Sequence, residues 1–243
     1  MAESEARHGD GAACLDAAQQ DAATSAVPEL SAMTVREVCE YVAGAHPEPG
    51  DSLWAALQGD PRKGVRGLCD RLTRRRDSER YALEREERMR RSEVERWAAG
   101  DSVVAGVDEA GRGPLAGPVV AAAVVLPREL SIAGIDDSKR LSAARREELF
   151  ELIERDAVGI GVGVVSQSVI DEINILRATH RAMREALAGL PVAPDHVLMD
   201  GDPVPELGFE QTAINQGDRK STAIAAASII AKVTRDRMLV EFD

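Results

Sequence analysis

The stretch Val103-Val104-Ala105-Gly106-Val107-Asp108-Glu109-Ala110-Gly111-Arg112-Gly113-Pro114-Leu115-Ala116-Gly117-Pro118, running on into Val119-Val120-Ala121-Ala122-Ala123-Val124-Val125-Leu126, decides the fold. Val103 to Asp108 is a short apolar run that reads as a buried strand, and Val119 to Leu126 reads as a second one. A chain that ends its first strand in two acids spends much of their solvation, because a buried carboxylate needs a cation or a basic partner. Glycines 111 and 113 leave backbone N–H groups open to close approach, and Arg112 sets a positive charge beside the acids.

Outward from this block the pattern alternates strands and amphipathic helices. Val158 to Val165 reads as a third strand, whose glycines allow close packing or bulges. Ser142 is placed to cap a helix through Arg155, with Leu149, Leu152 and Ile153 at helical spacing. A helix is expected over Ser168 to Leu190, a short strand over His196 to Met199 ending at Asp200, and an Ala-rich buried helix over Thr222 to Val240. The expected fold class is α/β, with a mixed central sheet flanked by helices.

The N-terminal hundred residues differ in character. Residues 1–32 lack apolar periodicity and read as an acidic disordered tail. Residues 33–75 read as a small helical domain: Thr34 with Glu37 three residues on fits a capping box, and further helices are expected at Leu53 to Leu57 and Val65 to Leu72. Residues 76–100 read as a charged linker helix, and residues 101–243 as the main domain.

A net charge of −12 argues against a nucleic-acid partner until its distribution is examined. Met1 to Pro61 holds two basic residues against eleven acidic ones, whereas Arg62 to Arg91 holds twelve basic against six acidic. A basic segment is thus concealed by an acidic one, either as a solvated helix face or as a phosphate contact. Cys14, Cys39 and Cys69 are odd in number and lack metal-ligand spacing, which fits a reducing compartment. The sequence start has neither basic nor apolar character, and no apolar run approaches the length of a membrane helix, so a cytoplasmic protein is expected.

A second apolar strand ends in an acid at Asp200, and a further acid, Asp218, precedes the Ala-rich helix in Asn215-Gln216-Gly217-Asp218-Arg219. Singly, each acid suits a cap, a turn or an ion pair. Together they form an all-oxygen donor set of the kind Mg²⁺ and Mn²⁺ take. Two such ions activate a water and stabilise the leaving oxygen of a phosphodiester. The Gly111-Arg112-Gly113 turn suits a test of the ribose 2′-hydroxyl. Gly111, Gly113 and Gly117 also mimic a dinucleotide-binding loop, but Pro118 and a strand stand where that unit needs a helix.

Five blocks in order carry a resemblance: Asp108 to Pro118, Asp137-Ser138-Lys139, Asn174 to Thr179, Asp200-Gly201, and Ala225 to Asp236. They resemble bacterial ribonuclease HII, the type 2 ribonuclease H family, over residues 102 to 243. The region from Met33 is similar to the N-terminal extension of some members. The resemblance implies a ribonuclease H-like fold and an endonuclease acting on RNA–DNA hybrids and on duplex DNA with embedded ribonucleotides, as a monomer away from membranes. It implies two-metal catalysis with Mn²⁺ or Mg²⁺, leaving 5′-phosphate and 3′-hydroxyl ends. Asp108, Glu109 and Asp200 become metal ligands and Asp218 the fourth catalytic acid; Gly111, Arg112, Gly113, Ser138 and Lys139 become substrate contacts. Two departures stand out. Gln216 occupies a position that is usually lysine in the family. The family also continues beyond the equivalent of Asp243 with a tyrosine-bearing segment, for which neither Tyr41 nor Tyr81 is a candidate, so the alternative is a catalytically impaired hybrid-binding fragment.

Overall fold

The computed structural model describes residues 29–113 and 117–241. The chain divides after Asp77 into two compact units. In the first, helices α1 (Val35–Ala45) and α2 (Ser52–Gly59) and the start of α3 (Lys63–Met89) enclose a core of Val38, Val42, Leu53, Trp54, Leu57, Val65 and Cys69. The capping box forms as its residues dictate: the Glu37 amide donates to Thr34 Oγ1 and the Thr34 amide to Glu37 Oε2. Most of the expected tail lies outside the described residues. Leu30, however, sits in a 3₁₀ turn (Leu30–Ala32) and is buried in this core, so the tail boundary at residue 32 is too late.

The helix expected over Val65 to Leu72 and most of the linker helix expected over 76–100 are a single helix, α3, followed after a break at Arg90 by α4 (Arg91–Ala98). Residues 68 to 89 contain neither glycine nor proline, so nothing interrupts the backbone ladder between the two expected pieces.

In the second unit five strands make one mixed sheet in the order β3-β2-β1-β4-β5. β1 (Val104–Ala110) pairs antiparallel with β2 (Val119–Val125) and parallel with β4 (His196–Asp200); β3 (Gly159–Val165) is antiparallel to β2, and β5 (Glu210–Ile214) is parallel to β4. All of β2 is buried because both sheet faces are covered. Its odd residues, Val119, Ala121, Ala123 and Val125, pack with α7 (Ile175–Ala188). Ala122 and Val124 pack with α5 (Ala143–Asp156) and α8 (Thr222–Glu241). The β3 glycines serve close packing: a Cβ on Gly161 would lie 2.0 Å from the Ala186 carbonyl oxygen, and one on Gly163 2.0 Å from that of Ala182.

Two expectations need correction. The helix read over Ser168 to Leu190 is broken into α6 (Gln167–Ile173) and α7 by Asn174, whose φ of 71° lies in the left-handed region. Its side chain then caps α7 by accepting from the Arg177 amide. β5 was not foreseen, since Glu210-Gln211-Thr212-Ala213-Ile214 is an edge strand with little buried surface and owes its form to pairing with β4.

Candidate active site

Three parallel strands, β1, β4 and β5, point their carboxyl ends the same way, and acids leave from each. The register Val107↔Met199 sets Asp108 and Asp200 side by side on adjacent strands. Asp218 follows β5 in a single 3₁₀ turn (Gly217–Arg219) that leads into α8. This is the general location of sites in such sheets, since the crevice beyond the strand ends is where connecting loops converge.

The acids feel one another. Burial lifts the Asp108 carboxyl well above its ordinary range, and the charges of Glu109 and Asp200 lift it further. Glu109 is raised by burial and by Asp200, against the opposing pull of Arg112. Asp218 is pushed up to about 6, first by burial and then by Asp137 and Asp200, while Arg219 and Lys139 pull the other way. Raised, partly desolvated carboxyls near other acids are an arrangement that a bound cation would relieve.

As the side chains stand, no three His, Cys, Asp or Glu among the described residues are gathered tightly enough to hold a metal ion. Asp108, Asp200 and Glu109 each lean on a nearby donor instead. Asp108 Oδ1 accepts from the Glu109 amide at 2.7 Å, Asp200 Oδ1 from the Gly217 amide at 2.6 Å, and Glu109 Oε1 lies 3.5 Å from Arg112 Nη1. The donor set itself, carboxylate oxygen throughout, is what Mg²⁺ and Mn²⁺ select.

Positioning groups surround the acids. The Ser228 hydroxyl, on α8, hydrogen-bonds to Asp108 and lies 2.9 Å from Ser138 Oγ. Either hydroxyl can donate across this contact. Ser138 is buried, shares this hydroxyl contact, and lines the pocket at the glycine turn. Lys139 is exposed, its amide fixed by Asp137 Oδ1, while Asp137 Oδ2 pairs with Arg219 at 2.9 Å. The positive charge expected to be lacking at Gln216 therefore has neighbours in Arg219 and Lys139.

Gly111, Arg112, Gly113 and Lys139 line a pocket of about 290 Å³ together with Glu109 and Lys232. A larger cavity, about 640 Å³, has mainly apolar walls around Leu83, Met89 and Ile132 and holds none of the four acids. Arg235 is buried beneath the glycine turn and donates to the Pro118 carbonyl. Residues 114–116 lie outside the described set. Sequence reasoning missed Ser228, although a lone hydroxyl in an Ala-Ile run was a signal. It also missed the Asp137–Arg219 pair and Glu93, which nothing local distinguished.

Residues 105–243, more than half of the chain, match the family model described as Ribonuclease HII. The chain belongs to the ribonuclease HII family. Residues 34–97 match the Ribonuclease HII N-terminal domain. Over 193 residues the enzyme is 52% identical to Ribonuclease HII of Geobacillus thermodenitrificans, covering 79% of this chain and 74% of the relative. It is 46% identical over 213 residues to that of Listeria monocytogenes, covering 88% and 80%. The crystal structure of the ribonuclease H2 from Pyrococcus horikoshii superposes with a TM-score of 0.50 at 34% identity, over 58% of this chain and 75% of that one. The enzyme is accordingly an endoribonuclease, a hydrolase of a family whose substrates are RNA–DNA hybrids. Among the described residues no helix is long and apolar enough to cross a membrane.

Proposed function

We propose that the enzyme cuts the RNA strand of RNA–DNA hybrids, and single ribonucleotides embedded in duplex DNA, on the 5′ side of a ribonucleotide phosphate. The products carry 5′-phosphate and 3′-hydroxyl ends. The observation that carries this reading is the convergence of Asp108, Asp200 and Asp218 from three parallel strand ends, with Glu109 beside them, next to the Gly111-Arg112-Gly113 turn.

Asp108, Glu109 and Asp200 are the residues that would hold Mg²⁺ or Mn²⁺, with Asp218 as the fourth acid. Bound there, a metal pair supplies an activated water and charge stabilisation at the leaving oxygen. The protein's own part is preorganisation. Ser138 and Ser228 hold Asp108 in its orientation, and the Gly217 amide holds Asp200. Glycines 111 and 113 bring backbone close to the ribose, where the 2′-hydroxyl distinguishes RNA from DNA. Arg112 and Lys139, both exposed at the pocket, suit the phosphates that flank the cut.

The test is cleavage of an end-labelled DNA duplex containing one ribonucleotide, with Mg²⁺, Mn²⁺ or EDTA. Nicking on the 5′ side that EDTA abolishes is the expected result. A folded protein that binds the duplex but nicks it in neither metal would overturn the proposal in favour of a hybrid-binding role.

A further inference from the structure

Beyond the acids, the second unit carries a separate cationic pocket of about 230 Å³, lined by Tyr81, Arg85, Arg88, Met89, Arg219 and Lys220. Four of these six side chains are cations, drawn from two elements distant in sequence, the end of α3 and the turn that carries Asp218. Their charges are not equally spent. Arg85 pairs with Asp136, and Arg219 with Asp137. Among the described residues neither Arg88 nor Lys220 has a carboxylate partner: Arg88 rests over the Tyr81 ring at 5.8 Å, and Lys220 Nζ donates to the Asn215 carbonyl. A ring face and a carbonyl orient a cation without neutralising it. Two positive charges are thus held ready in a protein whose net charge is −12.

The pocket adjoins the acid crevice through covalent neighbours. Arg219 follows Asp218 directly, and its pairing with Asp137 ties it to the loop that carries Lys139, which lines the glycine-turn pocket. Cations therefore continue past the fourth acid, from Lys139 through Arg219 to Lys220 and Arg88. A row of cations running away from a nuclease crevice suits a polyanion that extends beyond the bond being cut.

We infer that Arg88 and Lys220 bind the phosphodiester backbone of the substrate duplex at a site beyond the scissile phosphate, with Arg85 and Arg219 held by their acids as walls of that site. This rests on the hybrid-cleaving reading above. Phosphate contacts position a nucleic acid without reading its sequence, and each one releases counter-ions on binding.

The experiment measures binding of a fluorescently labelled RNA–DNA hybrid by anisotropy across a KCl series, in the full chain with Asp108→Asn added so that the hybrid stays uncut. Arg88→Ala with Lys220→Ala should lower the slope of log K against log salt by about 1.8 and raise Kd by roughly tenfold to sixtyfold near 0.1 M KCl. Arg88→Lys with Lys220→Arg should restore most of the slope. Arg155→Ala, which removes an exposed arginine at the far end of α5, should leave it unchanged. An unaltered slope in the double alanine variant, in a protein that binds the hybrid, overturns this site and leaves the hybrid-cleaving reading intact. Failure of the otherwise wild-type chain to bind or cut the hybrid overturns both.

Discussion

Gly106→Ala tests the joint between the sheet and the catalytic turn. A Cβ at Gly106 would lie 2.1 Å from the Ala223 carbonyl carbon, 2.3 Å from the Ile224 nitrogen and 2.4 Å from the Ala223 oxygen. All three are backbone atoms, so no side-chain rotation relieves the clash, and the start of α8 must retreat by roughly 1.5 Å to regain ordinary contact. That retreat has its own cost. Glu93 Oε1 accepts from the Ser221 hydroxyl at 2.7 Å and from the Ala223 amide at 2.9 Å, and these bonds tether the first turn of α8. Overpacking of a tight core costs about 1–3 kcal/mol, and the rigid opponents here place Gly106→Ala at the top of that range or above it. Because α8 follows Asp218 and carries Ser228, a shift of this size should also lower kcat/KM by about 10²-fold. Urea unfolding followed by circular dichroism gives the first quantity and hybrid cleavage the second. A variant within about 0.5 kcal/mol of wild type and fully active would refute the claim that β1 and α8 are in rigid backbone contact.

Gly113→Ala is the complementary change. Among the described residues nothing lies within 4 Å of the added methyl, so the urea midpoint should hold while kcat/KM falls at least tenfold by exclusion of the nucleic acid; full activity would remove Gly113 from the substrate surface. Asp108→Asn keeps the shape and removes a buried charge that Glu109 and Asp200 oppose. Thermal stability at pH 7 should hold or rise while cleavage falls well beyond the roughly 10–100-fold worth of an outer partner at a metal site, and retained activity would sink the ligand assignment. Burial raises the Glu93 carboxyl above its ordinary value, and its Oε2 has no partner among the described residues. The folded form therefore binds its proton more tightly than the unfolded form, and wild-type stability is lost as pH rises from below the ordinary carboxyl range through the raised value. Glu93→Gln, neutral throughout, should gain on wild type between pH 4 and pH 7 in paired urea titrations; a constant difference across that window would contradict the shift.

Four of the five strands and the four acids were legible in the sequence alone. An apolar run ending in Asp108-Glu109 and another ending in Asp200 are local patterns, and strand alternation follows from the backbone without knowledge of neighbours. The α1 capping box and the Ser142 cap were equally legible, because capping joins residues three apart. What the sequence left open depended on groups far apart along the chain. β5 exists because β4 offers it a ladder, and Asn174 breaks a helical pattern by taking a φ of 71° and capping the helix that follows. Ser138 stood in a loop motif with no visible partner, and only the fold brings Ser228 of α8 against it, ninety positions away. Glu93 looked like one charge in a solvated helix until it met the start of α8 across 130 positions. Side-chain chemistry and local geometry are written residue by residue, whereas burial, pairing and the sharing of a hydrogen bond are properties of contacts that only the folded chain makes.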